Sequence, residues 1–389
     1  MNFFAQSLAR SASLPEVTSG QVINLKVDLI LGHDGTWSKV LSAWKKSECK
    51  LAEGNKVLIT VDHAFPAPSI QERILQKELY KIASDKKIQL YNQGEGVLHQ
   101  VVAERIPLQP GTIIVGADGH VATSGAFGAI AFSVSPEILA SVLETGYYEL
   151  KVPEVITINI ENNLPANTMA RDLALYIMQN FHQNIKGKAV AIQGSFLDSA
   201  SIDSKMALCN FLPEAGVVTA FILPAEAESE GEVLNVDANS IKPLLAIPPA
   251  STNVKSVKDL EGKQISVAII GGCSAGRLED MLACTNILKG KRIHPGVTLL
   301  IVPASAAVAN KMDEMGLTSL LRESGAVILP PGCGPCPGKH LGLLSAGDVA
   351  ITTTIRNTPG RIGSEEAEIY LASPLTVALS ALNGAITGP

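Results

Sequence analysis

The 389-residue sequence lacks the features that mark several classes of protein. Aromatic residues make up only 4% of it, so its core must consist mainly of alanine, valine, isoleucine and leucine. It has no apolar run long enough to cross a bilayer, since even the stretch from Val297 to Ala309 is interrupted by Pro303. Clusters of lysine and arginine with interleaved aromatic residues are also missing, and the formal net charge is −6. We therefore expect neither a membrane nor a nucleic acid as a partner.

The six cysteines do not show the dense spacing of a secreted disulfide scaffold. The segment from Met1 to Arg10 lacks the basic region and the long apolar run of a secretory signal. Its single arginine is weak support for a transit peptide, and a short helix before the first strand explains the pattern better. We therefore expect a cytoplasmic protein in a reducing compartment.

Strand-like apolar runs alternate with helical patterns along the chain, which is typical of an α/β fold. The apolar runs predict strands at Val57–Val61, Thr112–Gly116, Ala189–Gln193, Ser266–Ile270, Val297–Val302, Val327–Leu329 and Asp348–Thr352. The helical patterns predict helices at Ser69–Ala83, Ala126–Phe132, Ala306–Met315 and Leu317–Ser324. The segment from Ala225 to Leu260 is rich in Glu, Ser, Pro and Asn and predicts an irregular connection between domains. A chain of this length is expected to form two or three domains.

Three cysteines lie in two glycine-rich loops. Cys273 lies in the string GGCSAG, and Cys333 and Cys336 lie in the string PGCGPCPG. Three thiolates can hold an iron–sulfur cluster and leave its fourth iron open, and glycine lets backbone N–H groups approach the sulfurs. An open iron is a Lewis acid that can polarise a substrate hydroxyl or carboxylate. The alternative is a redox-inert CxxC at a tight turn together with an unrelated buried cysteine.

Further motifs accompany the two cysteine loops in a fixed order. They are, in chain order, Val27–Thr36, Val61–His63, Leu98–Gln100, Gly116–His120, Gly125–Gly128, Met206–Asn210, Glu214–Gly216, Arg356–Arg361 and Tyr370–Pro374. In order and spacing, the set resembles the aconitase superfamily, and most closely the large subunit of 3-isopropylmalate dehydratase and homoaconitase. The resemblance extends from about Gln21 to Asn383, which is nearly the whole chain.

This resemblance implies an α/β fold of three α/β/α domains around a central iron–sulfur site, without the swivel domain. We place the approximate domain boundaries at residues 1–153, 154–235 and 236–389, with the cluster cysteines in the third domain. The resemblance makes Cys273, Cys333 and Cys336 the ligands of one [4Fe–4S] cluster per chain. Such a cluster would be the cofactor of a hydro-lyase.

The resemblance also implies a set of histidine–carboxylate pairs for acid–base catalysis. A carboxylate beside an imidazole fixes its tautomer and raises its pKa, which produces a general acid. The expected catalytic residues are Asp62, His63, His99, Asp118 and His120.

Substrate binding is expected from His33, Asp34, Arg356 and Arg361. The two arginines would hold substrate carboxylates through charge-assisted, two-pronged hydrogen bonds. The His-Asp pair at positions 33 and 34 favours the isopropylmalate and homoaconitate branch, because true aconitases carry Gln-Asp there. The other histidines are expected to be core or surface residues without a catalytic role: His182, His294 and His340.

The family's catalytic base is a serine in a Gly-Ser-Ser-Arg-Glu type loop on a swivelling domain, and no such string occurs in this sequence. We therefore expect a small swivel-domain subunit that carries the serine. The other expected partner is a small hydroxy-acid substrate.

Four positions depart from the family pattern. Gly119, Ala275 and Ile355 stand where the family carries a hydroxyl or a carboxamide, and Ala191 aligns with the glutamate that partners the third histidine. We expect the pocket near the first three to accept a group that is less polar than the third carboxylate of citrate.

The expected function is an iron–sulfur hydro-lyase large subunit that dehydrates or isomerises a malate-like 2-hydroxy acid. The alternative is a non-catalytic or cluster-free relative with a structural or regulatory role. Because a cluster scaffold alone needs no carboxylate clamp, the retention of Arg356 and Arg361 favours the enzyme.

Overall fold

Mainly parallel β-sheets and the helices that connect their strands build the chain in the computed structural model, which describes residues 2–389. The strands are β1 (Val22–Lys26), β2 (Leu29–His33), β3 (Val57–Thr60), β4 (Gln89–Tyr91), β5 (Ile113–Gly116), β6 (Ile130–Ser133), β7 (Tyr147–Lys151), β8 (Val155–Glu161), β9 (Ala189–Gln193), β10 (Thr219–Ile222), β11 (Glu232–Asp237), β12 (Leu244–Ala246), β13 (Val254–Ser256), β14 (Val267–Gly271), β15 (Thr298–Val302), β16 (Val327–Ile328), β17 (Val349–Thr352) and β18 (Glu368–Ala372).

Short and medium α-helices separate most of these strands. They are α1 (Phe3–Ala12), α2 (Asp34–Trp44), α3 (Ile70–Asp85), α4 (Leu98–Arg105), α5 (Pro136–Thr145), α6 (Ala170–Ile185), α7 (Phe196–Ser199), α8 (Ile202–Phe211), α9 (Gly272–Ala275), α10 (Leu278–Leu288), α11 (Ala306–Glu314), α12 (Leu317–Ser324) and α13 (Pro374–Asn383). The 3₁₀ turns are Lys45–Ser47, Val121–Phe127, Leu212–Ala215, Ala238–Ser240 and Val257–Leu260. Within residues 2–389, no helix is both long enough and apolar enough to cross a membrane.

The larger sheets are parallel throughout or nearly so. One has the strand order β4-β3-β2-β5-β6 and a second has the order β10-β9-β8-β11, and every pairing in both is parallel. A third has the order β13-β12-β18-β17-β14-β15-β16, in which β12 is antiparallel to both its neighbours. A two-stranded antiparallel ribbon joins β1 to β7. The α/β class predicted from the sequence is confirmed.

Apolar cores cover both faces of the sheet that contains β2. Successive side chains of a strand point to opposite faces, and here they enter two separate clusters. Ile30 and Ile59 lie in one cluster, whereas Leu31 and Leu58 lie in another. Burial on both faces explains why these strands are continuous apolar runs instead of alternating patterns. It is also what an α/β/α layer requires.

One helix predicted from the sequence, Ala126–Phe132, is wrong. The 3₁₀ turn Val121–Phe127 ends at Gly128, which has a φ of +74°, and β6 (Ile130–Ser133) follows. The apolar residues of β6 pair in parallel with β5, so the tertiary pairing decides their conformation. A short apolar run carries no periodicity that separates a helix from a buried strand.

The segment 225–260 is more regular than predicted, because it contains β11, β12 and β13. β11 pairs in parallel with β8 over six residues from Glu232 to Asp237. It lies at the edge of its sheet and is mostly exposed, so its sequence is polar and gave no strand signal. The strand crosses position 236, where we placed a domain boundary. The division into three domains stays a prediction.

Candidate active site

The carboxyl ends of strands from two sheets meet at one cavity. His33 ends β2, Asp118 follows β5, Cys273 follows β14 and Arg356 follows β17. The cavity has a volume of about 240 Å³, and all the site residues predicted from the sequence line it except Asp34. Ligands commonly bind at the carboxyl edge of such sheets, because the connecting loops collect there.

The three loop cysteines come together in this cavity as free thiols. Cys273 lies in α9 directly after β14, and the backbone N–H of Cys333 donates to the Asp62 carbonyl at 3.0 Å. Gly271 lets α9 begin where it does. Its φ is +143°, and a Cβ there would lie 2.1 Å from the carbonyl oxygen of Val302. The remaining cysteines that the structure describes do not line the cavity.

The thiols match the donor set of a cluster that is bound through three cysteines. Burial raises the pKa of Cys273 to about 12 and the pKa of Cys333 well above its ordinary value. At neutral pH these sulfurs would therefore become thiolates only with a strong positive partner, such as a metal centre. Charge repulsion from Cys336 also raises the pKa of Cys273, and repulsion from both of these raises the pKa of Cys333, which means that the three sulfurs lie close together. The residues present fit a [4Fe–4S] cluster.

Asp118 accepts hydrogen bonds from several histidines. Its Oδ2 lies 3.2 Å from His33 Nε2, and its Oδ1 lies 2.8 Å from His99 Nε2 and 2.7 Å from the backbone nitrogen of His120. The N–H of Gly35 donates to His33 Nδ1 at 3.1 Å, so the neutral His33 ring carries its proton on Nε2 and donates it to Asp118. Although burial raises the pKa of Asp118, His99 and His33 hold it well below the ordinary value. Asp118 is therefore a carboxylate at neutral pH.

Asp62 and His63 form a second pair. Asp62 Oδ1 lies 2.6 Å from His63 Nδ1, and the N–H of Leu98 donates to Oδ2 at 2.6 Å. Burial raises the pKa of Asp62, but its neighbours, chiefly the adjacent His63, together have the larger, opposite effect, and the resulting pKa is about 2. Burial lowers the pKa of His63, but Asp62 more than offsets this and the pKa is raised. The His63 ring stacks on His33 at a centroid distance of 4.0 Å, and Nδ1 lies 3.6 Å from the Cys333 sulfur.

The third histidine has its carboxylate partner, and that partner is Glu214. His120 Nε2 lies 3.0 Å from Glu214 Oε1, and Arg356 donates from Nε to both oxygens of Glu214 at 2.9 and 3.1 Å. The sequence-based alignment of this glutamate with Ala191 is therefore wrong, because Ala191 is a fully buried residue of β9. The only indication of Glu214 in the sequence is the motif Glu214–Gly216, which does not say which residue the glutamate contacts. Its pairing with His120 spans 94 positions of sequence, which spacing cannot reveal.

Asp34 is predicted to contact the substrate, but the structure places it outside the cavity. Its Oδ1 accepts the N–H groups of Asp62 and His63 at 3.1 and 2.9 Å, and its Oδ2 accepts the N–H of Ala64 at 2.9 Å. The carboxylate therefore holds the loop after β3. It positions the Asp62–His63 pair, and its predicted contact with a substrate stays a prediction.

Three cations line the cavity. Arg356 and Arg361 do so as predicted, and Lys339, which belongs to none of the sequence motifs, lines it as well. Within residues 2–389, the Nη atoms of Arg356 have no hydrogen bond, and Arg361 Nη2 lies 3.9 Å from the Cys336 sulfur. Lys339 Nζ lies 3.4 Å from a carboxylate oxygen of the partly buried Glu72. The cavity can therefore attract and orient an anion that carries more than one carboxylate.

The three departures from the family pattern lie in different surroundings. Gly119 lines the cavity, and a Cβ at that position would lie 2.6 Å from Arg356 Nη2. Ala275 and Ile355 are buried and do not line the cavity, so the expectation that these two positions border the substrate pocket is wrong. Ile355 packs in the apolar core beside Cys273. The departure at Gly119 instead makes room for the Arg356 guanidinium.

The three histidines predicted to have no catalytic role all lie outside the cavity lining. His340 is nevertheless close enough to the site for Asp34 and His63 to affect its pKa. Burial has the largest effect on this pKa and lowers it, His63 also lowers it, and Asp34 raises it. Neither of its ring nitrogens has a hydrogen-bond partner within the part of the chain that the structure describes.

Comparison with known proteins gives consistent results. The sequence model of the aconitase family (aconitate hydratase) matches residues 7–230 and 232–384. The chain is 38% identical to the 3-isopropylmalate dehydratase large subunit of Thermococcus kodakarensis, covering 95% of this chain and 96% of that protein. It is 32% identical to the homoaconitase large subunit of Thermus thermophilus, covering 96% and 94%.

A solved structure shares the fold. The holo-form of Thermococcus kodakaraensis aconitase X superposes with a TM-score of 0.52, covering 85% of this chain and 83% of that one. Its sequence is only 13% identical, so the likeness concerns the fold alone.

Proposed function

Because the chain belongs to the aconitase family, we propose that it is the large subunit of an iron–sulfur hydro-lyase that dehydrates or isomerises a malate-like 2-hydroxy acid. One observation carries this proposal. Three thiols, four histidines, the carboxylates of Asp62 and Asp118 and two arginines, contributed by loops far apart in sequence, line a single cavity of about 240 Å³.

Cys273, Cys333 and Cys336 would hold the [4Fe–4S] cluster. When bound, the cluster supplies an iron without a protein thiolate that acts as a Lewis acid toward the substrate hydroxyl. The glycines around the cysteines allow the loops to close on that group, since Gly271 adopts a conformation that an L-residue rarely tolerates.

The histidines would manage the proton that the departing hydroxyl requires. Asp118 accepts from His99 Nε2, and this leaves His99 Nδ1 buried with no partner in residues 2–389. Asp62 raises the pKa of His63, which makes that imidazole a proton donor near neutral pH. His120 differs, because burial lowers its pKa, and its neutral ring is suited to accept or relay a proton.

Arg356, Arg361 and Lys339 would orient the carboxylates of the substrate. Glu214 holds Arg356 through Nε and leaves both Nη groups for the ligand. A 2-hydroxy acid with two carboxylates, such as a substituted malate, matches this distribution of positive charge. The relatives are named 3-isopropylmalate dehydratase and homoaconitase, and these names support this substrate class.

The base that removes the carbon-bound proton would come from a small swivel-domain subunit that carries the catalytic serine. The relatives are named as large subunits, which supports a second polypeptide. Closing a second protein over the cavity would also exclude water from it.

The test is an anaerobic assay of the reconstituted chain, with and without its small subunit, on 3-isopropylmalate and on citrate. We expect turnover only with both polypeptides present, and a higher kcat/KM for 3-isopropylmalate than for citrate. Substantial turnover by the large chain alone would contradict the two-subunit proposal. A loaded cluster without activity on any 2-hydroxy acid would support the non-catalytic alternative.

A further inference from the structure

Two arginines lie in the core behind the cysteines. Arg171 and Arg277 are only 4% and 1% exposed, and neither lines the cavity. Among the residues that the structure describes, no carboxylate oxygen lies within 4.0 Å of either guanidinium. A buried arginine keeps its charge, and an unpaired buried charge is strongly unfavourable. Within residues 2–389, the folded chain therefore holds two buried positive charges with no carboxylate in direct contact.

Arg277 is fixed to the short helix that carries Cys273. Its Nη2 donates to the carbonyl oxygen of Cys273 at 2.5 Å, and its Nη1 donates to that of Ser274 at 3.2 Å. Its Nε is buried without a partner in residues 2–389. The side chain thus places a positive charge against the backbone of one of the three loop cysteines. Arg277 also opposes the rise that burial causes in the pKa of Cys273.

Arg171 approaches the same region from helix α6. Its Nη2 donates to the carbonyls of Thr353 and Thr354, the latter at 2.7 Å, and its guanidinium lies 4.2 Å from the centre of the Phe211 ring. Ser274 donates to the same Thr353 carbonyl, so Arg171 bridges the loop after β17 to the helix of Cys273. Burial lowers the pKa of Arg171 to about 10, while Cys273 opposes that change.

Two buried carboxyl groups that interact electrostatically with these arginines, those of Asp172 and Asp280, compensate their charges only in part. Asp172 accepts the N–H of Leu244, and Asp280 accepts the N–H of Arg277. Burial raises the pKa of Asp172 to about 6 and that of Asp280 to about 7. Near neutral pH they therefore supply less than two full negative charges.

We propose that Arg171 and Arg277 are positioning residues whose buried charges offset those of the cysteine thiolates when the cluster is bound. The inference rests on the proposed cluster. It adds two residues whose positive charges lower the electrostatic cost of burying three thiolates. Positive charge beside such a site stabilises the more negative, reduced state, so the arginines also set the reduction potential.

The experiment separates charge from hydrogen bonding. Arg171→Gln and Arg277→Gln keep a donor but remove the charge, Arg171→Lys and Arg277→Lys keep the charge, and Arg322→Gln on the exposed face of α12 is the matched control. After anaerobic reconstitution, the measurements are iron per chain, the rate of iron loss to a chelator, the reduction potential, and the melting temperature with and without iron.

We expect the Gln variants to lose iron roughly 10-fold faster than the wild type, as is typical when residues behind metal ligands are changed. Their reduction potential should shift to more negative values, while the Lys variants and the control remain near the wild type. Without iron, the melting temperature of the Gln variants should not fall, because an unpaired buried charge has been removed.

A purely structural role would give a different pattern. It would lower the melting temperature of the iron-free Gln and Lys variants alike and leave the potential and the rate of iron loss unchanged, which would overturn the inference. If one Gln variant fails to fold, the variant at the other arginine makes the same comparison. A wild-type chain that takes up no iron would instead contradict the proposed function itself.

Discussion

At the scale of single residues, the site depends on carboxylates that each serve several partners. Asp118 accepts hydrogen bonds from His33 and His99, and Glu214 is shared by His120 and Arg356. Since Glu214 fixes both the imidazole proposed for catalysis and the guanidinium proposed for substrate binding, changing it should affect catalysis and binding together.

Glu214→Gln tests this sharing. The neutral amide cannot hold the Arg356 guanidinium as a charged pair, and it stabilises a protonated His120 less well. We expect kcat/KM to fall by about 100-fold, the scale of a lost general acid–base contribution. The exposed substitution Glu226→Gln is the control and should leave the steady-state kinetics unchanged. Unchanged kinetics for Glu214→Gln would remove this residue from the mechanism.

Arg361→Lys tests the carboxylate clamp. A single ammonium group cannot reproduce the planar, two-pronged contact of a guanidinium, so KM should rise and kcat/KM should fall by about 10-fold or more. Arg322→Lys, on the exposed surface of α12, is the matched control. If both variants behave like the wild type in steady-state assays, Arg361 does not bind the substrate.

The pKa of Asp62 gives a prediction about acid stability. Its pKa in the folded protein is about 2, below the ordinary 3.8. The ionised carboxylate therefore stabilises the folded state fully when the pH is above 3.8, and this stabilisation is lost as the pH falls through the folded-state pKa. We expect the difference in free energy of unfolding between the wild type and Asp62→Asn to be about 1 kcal/mol smaller at about pH 3 than at about pH 5. Asp313→Asn, on the exposed surface, serves as control and should show no such trend. A difference that is constant with pH would contradict the charged pair.

At the scale of elements, the sequence predicts the strands that are buried on both faces but not the strands that pair at the edge of a sheet. Strands such as Ala189–Gln193 were predicted correctly because both faces are covered and the apolar run is continuous. β11 was missed because it is exposed, and β6 was mistaken for a helix because pairing with β5 decides its conformation. The Glu214–His120 contact could not be predicted, because it joins segments that only the tertiary fold brings together.

Gly271→Ala tests the junction between β14 and the helix that carries Cys273. The new Cβ would lie 2.1 Å from the carbonyl oxygen of Val302, so a backbone must shift. Gly290→Ala is the matched control, since Gly290 also has a positive φ but nothing lies within 4 Å of the added atom. We expect the control to be destabilised by about 1 kcal/mol and Gly271→Ala by clearly more, as measured by chemical denaturation. Equal losses would mean that the junction has room to relax.

At the scale of the whole molecule, residues that follow strands of two different sheets line one cavity, although these residues are far apart in sequence. Of the twelve residues proposed from the sequence, only Asp34 lies outside the cavity lining, and the membership of the others in a functional site stays a prediction. Their individual roles were harder to predict. Lys339 gave no motif signal, and the burial of Ala275 and Ile355 follows from packing that no local pattern encodes.

The measurement that tests the account most directly is the iron content of the chain after anaerobic reconstitution. We expect about four irons per wild-type chain, and a large loss in Cys273→Ser, Cys333→Ser and Cys336→Ser. Cys209→Ser and Cys284→Ser should retain the wild-type content, because these buried thiols lie outside the cavity. Little or no bound iron in the wild type, or a content that the three cavity cysteines do not affect, would contradict the cluster site on which the proposed function depends.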